Sequence, residues 1–194
     1  NPLLMEIDKI QQFAHITEVE AFNLPSPHIT PQKMLMLVST INEQLANQQF
    51  DGIVITHGTD TLEETAYFLE LATNYTLPIV LTGAMRSSNE VGSDGVYNLM
   101  AAVRVASTDE AGEKGVLVVL NDEIHTATSV TKTHSSSVST FQSPQYGPIG
   151  IVTKTAVYFH HAPLSRTYLP IRSIDKKVAM FKIYAGVEGE LLDM

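Results

Sequence analysis

Residues Gly58-Thr59-Asp60-Thr61 bring a hydroxyl, a carboxylate and the backbone N–H groups of an expected helix start to one point. Such a point can bind an anion, stabilise an oxyanion or hold a nucleophile, because amides at a helix N-terminus carry partial positive charge. The plainer reading of the same four residues is a capped helix. Their place directly after a β-branched run, Ile53 to Thr56, strengthens the case for a site, since ligands bind outside the carboxyl ends of strands in an open parallel sheet. Lys132, in Val130-Thr131-Lys132-Thr133, is the second candidate. A lysine held near a threonine hydroxyl can act as its base. Taken alone, Lys132 reads as a solvated lysine.

Other chemistry is disfavoured by residue type or spacing. The histidines are scattered, and His160 and His161, adjacent in an expected strand, would point to opposite faces. No H-E-x-x-H spacing occurs, so no zinc site is expected. Neither a Walker A sequence nor G-x-G-x-x-G is present, which disfavours nucleotide binding. Asn89, Glu90, Ser93 and Asp94 share one glycine-containing loop, where two acids could suggest a glycosidase pair. Their composition fits turn formation better.

The elements that must position these residues alternate between strand and helix. Thr30 and Pro31 open a helix as N-cap and first-turn proline, followed by Met34, Leu37, Val38, Ile41 and Leu45 at helical spacing. Ile53 to Thr56 reads as a buried parallel strand. A helix from Leu62 to Ala72 follows, capped by Asp60 and Thr61, with Glu63 and Glu64 in its first turn. Ile79 to Thr82, Val116 to Leu120 and Val157 to His160 are further strands, and Val96 to Ala106 is a helix. The fold class expected is α/β, a doubly wound and largely parallel sheet with flanking helices. Three loops then share the carboxyl ends of its strands: His57 to Thr61, Gly83 to Gly95, and the region after Leu120. Residues 1–161 read as one domain. The polar stretch 162–177, with Pro163 and Pro170, reads as a linker. A new strand at Val178 to Tyr184 would open a second, smaller α/β domain over 178–194, cut short at Met194.

Composition fits a globular chain. Of its 194 residues, 44% are hydrophobic, which argues against disorder. A net charge of −9 opposes attraction to a phosphate backbone or an anionic membrane surface, so neither nucleic acid nor membrane is an expected partner. The absence of cysteine removes disulfides, thiolate metal sites and cysteine nucleophiles together. No apolar run approaches a membrane span. The start, NPLLMEIDKI, has no basic n-region, no signal-type apolar core and no initiator Met. A cytoplasmic location is favoured, with export left open.

Four stretches together resemble one family. FDGIVITHGTDTLEETAYFLEL looks like a signature of the bacterial-type L-asparaginases. TGAMRSSNEVGSDGVYNL, GVLVVLNDEIHTA and VTKTHSSSVSTFQSPQYGPIG resemble that family in the same order and at similar spacing. The likeness runs from about Phe22 to Tyr184, most of the chain. It implies hydrolysis of the L-asparagine side-chain amide to L-aspartate and ammonia through a threonine acyl-enzyme, with weaker glutaminase activity and no cofactor. It also implies roles for individual residues. Thr59 would be the second of two threonines and would form a triad with Lys132 and Asp60. Asp60 would hold the substrate α-ammonium, and Ser26 the α-carboxylate. The Ala84 carbonyl would lie near the substrate amide. Pro27 and Gly58 complete the implied substrate-binding set. The implied assembly is a homotetramer, a dimer of dimers.

Two departures from the family pattern matter. Many relatives carry Gly-Ser-Gln where Pro25-Ser26-Pro27 stands here, so a glutamine contact to substrate is missing. No T-G-G-T-I-type motif, the family's place for the acyl-forming threonine, occurs in these 194 residues. The domain is thus expected to lack its first strand, and the 194 residues alone are expected to be inactive. Two other readings stay open: an asparaginase-like, ammonia-supplying subunit of a tRNA-dependent amidotransferase, and a non-catalytic amino-acid-binding homologue.

Overall fold

The computed structural model describes residues 10–189. Helix α1 spans Pro31–Asn47. The Thr30 hydroxyl accepts from the Lys33 N–H at 3.4 Å, and Pro31 needs no partner at the first helical position. The helix buries Met34, Leu37, Val38 and Ile41, the stripe expected from their spacing. Strand β1 (Ile53–Thr56) leads through a 3-10 turn (Thr59–Thr61) into helix α2 (Leu62–Ala72). Strand β2 (Ile79–Thr82), helix α3 (Gly95–Ala106) and strand β3 (Val116–Leu120) follow. Then come β4 (Glu123–Thr126), the short β5 (Thr131–Lys132) and β6 (Phe141–Gln142), β7 (Gly150–Val152) and β8 (Val157–Phe159).

The main sheet has six strands in the order β1-β2-β3-β4-β7-β8. Side chains alternate across it with the strand period of two. Ile79, Leu81, Val116 and Val118 face α1 and α2, while Val80, Leu117 and Val119 face α3. The α/β class and the helices on both faces follow the sequence reading. The sheet is mixed, however: β1, β2 and β3 are parallel, and β4, β7 and β8 pair antiparallel. The cause is the Asn121-Asp122 connection, with φ of 50° and 66°. Two residues can close a hairpin but cannot carry a parallel crossover.

Three other expectations are corrected. Strand β1 is half-buried rather than buried, because among the described residues it pairs only with β2 and forms the sheet edge. Neither Asp60 nor Thr61 caps α2 through its side chain; the Thr61 hydroxyl donates instead to the Ser26 carbonyl at 2.7 Å. No strand forms at Val178 to Tyr184. Val178, Met180 and Ile183 are 90%, 96% and 82% exposed, and a strand needs a partner ladder that the described residues do not offer there. The stretch 162–177 has no regular structure, yet it is tied down. Arg166 grips the buried Glu70 of α2 through Nε at 2.9 Å and Nη2 at 3.3 Å, and the Leu169 N–H donates to the Leu71 carbonyl at 2.7 Å.

Candidate active site

The parallel strands β1 and β2 end side by side, and their following loops face each other. The first loop is His57 to Thr61. Thr59 opens the 3-10 turn, so the chain beyond β1 tightens before α2 begins. Close approach of backbone requires glycine at two places. A Cβ on Gly58 would fall 2.7 Å from Ser26 Oγ, and one on Gly83 only 2.4 Å from the His57 carbonyl oxygen. The same Gly83 Cβ would lie 3.2 Å from Thr59 Cγ2, so Gly83 and Thr59 are in contact across the loops.

Lys132 arrives from elsewhere. It lies on β5, which pairs with β6 in a sheet of two strands separate from the main one. Its Nζ donates to Thr59 Oγ1 at 3.0 Å and to Asp60 Oδ1 at 2.7 Å. The lysine side chain is 14% exposed and the aspartate 62%. Lysine therefore spends its charge inside the cluster, while the carboxylate keeps an edge towards solvent. Charge-assisted bonds of this kind are about twice as strong as neutral ones.

Ser26 is buried in a 3-10 turn, Ser26–His28, laid against this loop. Its Oγ accepts from the Asp60 N–H at 3.2 Å. That leaves the serine's own proton free to donate. Pro27, the next residue, is exposed. Ala84 is exposed on the opposite loop. Thr56, Gly58, Thr82, Gly83 and Ala84 line a cleft of about 240 Å³ between the two loops. A larger apolar groove of about 420 Å³ lies between Ile29–Met34 and Tyr67–Leu71. We place the site at the smaller cleft, because the hydroxyl, carboxylate and ammonium gather beside it.

Two positioning groups, His57 and Asn98, were not singled out in the sequence. His57 Nδ1 lies 2.7 Å from the Gly58 carbonyl and Nε2 2.9 Å from Thr65 Oγ1. A carbonyl only accepts, so Nδ1 donates and the neutral ring's Nε2 accepts from threonine. Burial holds the His57 pKa below its ordinary 6.5, opposed by the Gly58 carbonyl and Glu64. Asn98 is 1% exposed on α3. Its Nδ2 donates to the Gly83 carbonyl at 2.9 Å and to Asp94 Oδ2 at 3.0 Å, and its Oδ1 accepts from the Asn121 N–H at 3.1 Å. Asp94 in turn accepts from the Met85 and Arg86 N–H groups at 3.1 and 2.9 Å, shaping the Ala84 loop. A polar residue on the same face as Ala101, Ala102 and Val105 of a largely apolar helix was the available signal for Asn98. Glu90 accepts from the Ser87 N–H and hydroxyl, as a turn residue does. Among the described residues, no group of three or more His, Asp or Glu side chains is placed to hold a metal.

The structure is thus an α/β protein in which a threonine hydroxyl, a lysine ammonium and an aspartate carboxylate meet beyond the carboxyl ends of parallel strands, where such folds bind ligands. The family model described as "Asparaginase, N-terminal" matches residues 1–165. The chain is 42% identical over 194 residues to a "Probable L-asparaginase" of Deinococcus radiodurans, covering 97% of this chain and 58% of that one. It is 42% identical over 159 residues to "L-asparaginase 2" of Bacillus subtilis, covering 82% and 42%. A solved structure, a probable cytoplasmic L-asparaginase from Campylobacter jejuni, superposes with a TM-score of 0.81 at 40% identity, over 85% of this chain and 51% of that one. The chain belongs to the asparaginase family. It spans about half the length of the curated relatives it matches.

Proposed function

We propose that the complete gene product hydrolyses L-asparagine to L-aspartate and ammonia. The observation that carries this reading is the Lys132 ammonium held between Thr59 Oγ1 at 3.0 Å and Asp60 Oδ1 at 2.7 Å. The lysine uses only Oδ1 of Asp60, so the exposed remainder of that carboxylate is open to a substrate α-ammonium. The free proton of Ser26 is suited to the α-carboxylate. The two contacts together would select an α-amino acid and point its side-chain amide into the cleft beside Ala84.

In the reaction, a threonine hydroxyl attacks the amide carbon, the C–N bond breaks, and nitrogen leaves as ammonia with a proton. Water then attacks the resulting ester, the C–O bond breaks, and threonine regains its proton. The family motif that carries the acyl-forming threonine in this reading does not occur in these 194 residues. Thr59 and Lys132 pass the proton and steady the oxygen charge, and a positioned acid–base pair of this kind contributes about 10²–10⁴-fold. A relative named "Glutaminase-asparaginase", from Acinetobacter glutaminasificans, is 38% identical over 164 residues, which supports a secondary action on L-glutamine. We read 1–161 as the catalytic domain, 162–177 as a linker and 178–194 as the start of a second domain, in a homotetramer of intimate dimers that light scattering would test.

Ammonia release by Thr59→Val and Lys132→Met variants of the complete gene product tests the site. Each is expected to lose turnover by about 10²-fold or more while keeping the wild-type circular dichroism spectrum. Wild-type rates in either variant would exclude the cluster from the chemistry.

A further inference from the structure

Lys132 must be held against Thr59 and Asp60, yet no ladder of the main sheet holds it. Strand β5 is two residues long and, among the described residues, pairs with β6 alone. Thr59 and Lys132 are separated by 73 positions. A long, flexible side chain on such a small hairpin would lose its geometry with any shift of the hairpin against α2.

Glu63 supplies the tie. It sits in the first turn of α2, just past the turn that carries Thr59 and Asp60. Its Oε2 accepts from the backbone N–H of Lys132, and its Oε1 accepts from the Thr131 hydroxyl at 3.2 Å. One carboxylate therefore engages consecutive residues of β5 from the same stretch of chain that carries the other two members of the cluster. An acid placed only to favour the helix dipole would point to its own N-terminal amides or to solvent. This one is spent on a strand 69 positions away.

We propose that Glu63 is a positioning residue that fixes the Lys132 backbone, and through it Lys132 Nζ, against Thr59 and Asp60. The inference rests on the catalytic reading of Lys132 given above. Glu63 touches neither the cleft nor the reacting atoms in this reading, so its loss should reach turnover and leave substrate affinity alone. A misplacement of about 1 Å in a reacting group can cost about 10²-fold in rate.

The test is steady-state kinetics on the complete gene product. Glu63→Met, similar in length but unable to accept, should lower kcat about 10- to 100-fold with KM within about twofold. Glu63→Gln should recover kcat to within about threefold, because its carbonyl can accept from Lys132 N–H while the rotatable Thr131 hydroxyl accepts from its amide. In a Lys132→Met background, Glu63→Met should lower kcat by less than about twofold further, since both act through one group. Unchanged kcat in Glu63→Met, or an equal fall with and without Lys132, would overturn the assignment. Wild-type turnover in Lys132→Met alone would instead sink the catalytic reading beneath it. If Glu63→Met does not fold, Thr131→Val removes one of the two ties. A fall of about threefold in kcat supports the assignment there, and an unchanged value overturns it.

Discussion

Asn98 uses both ends of its amide in the interior, and each bond joins a different segment. It holds the end of β2 through Gly83, the Ala84 loop through Asp94, and the turn after β3 through Asn121. Asn98→Asp changes almost no volume but places a carboxylate against the Gly83 carbonyl and Asp94. We expect it to destabilise the protein by about 2 kcal/mol or more, read as a lower urea midpoint. An unchanged midpoint would mean the network relaxes freely. Residues of this site were legible in the sequence to very different degrees. Thr59 and Asp60 are adjacent and follow a β-branched run, so local pattern alone made them candidates. Lys132 carried only a weak local signal, a lysine among threonines that reads as solvated when taken alone, and the resemblance was needed to join it to Thr59 and Asp60. Glu63 was visible only as an acid near a helix start, because its partner strand lies 69 positions away and no short-range rule encodes that contact. His57 was passed over because a lone histidine at a strand end has no spacing to read.

Element boundaries were read well where hydrophobic period and punctuation agreed. Thr30-Pro31 with the Met34, Leu37, Val38 and Ile41 stripe marked α1, and Ile79 to Thr82, ending at Gly83, marked β2. The parallel reading failed beyond β3. Val116 to Leu120 and Glu123 to Thr126 are separated by two residues, Asn121 and Asp122, both at positive φ. That is the backbone of a tight hairpin turn, for which asparagine and aspartate are among the favoured residues, and it was the missed sign of antiparallel pairing. Substitution separates the conformational demand from side-chain contacts. Asn121→Val forces a β-branched residue to a φ of 50° and should cost about 1–2 kcal/mol. Asn121→Gly meets the same demand without a Cβ and should stay within about 0.5 kcal/mol of the wild type. Chemical denaturation of the pair checks this; equal loss in both would place the cost in the asparagine side chain.

Two long-range features bear on the stability of the molecule as a whole. The Glu70 carboxylate is buried, accepts from the Val116 N–H at 2.7 Å, and is paired with Arg166, so α2, β3 and the stretch after β8 meet at one acid. Arg166→Met would leave that acid without its cation and should cost about 3 kcal/mol. For a chain of this size the loss lowers Tm by about 6–12 °C. A Glu70→Gln/Arg166→Met double variant should recover part of it, because no charge is then left buried. Histidine titration sets a second dependence. Burial pushes the pKa of both His57 and His125 below the ordinary 6.5. His125 is fully buried beside Ser143 Oγ at 2.9 Å, and its Nε2 lies 3.3 Å from Glu123 Oε2 without the alignment of a hydrogen bond. That carboxylate opposes the shift but does not reverse it, as Glu64 opposes the shift at His57. The folded state therefore prefers both rings neutral, while in the unfolded chain they take up protons near pH 6.5. Their contribution is present above that value, declines as pH falls through the lowered pKa values, and levels off below them. Melting curves from pH 8 to pH 5 should show Tm falling below about pH 6.5. His57→Gln and His125→Gln remove the titrating groups and should each flatten that fall. A decline that keeps its full slope in both variants would assign it to the carboxylates instead.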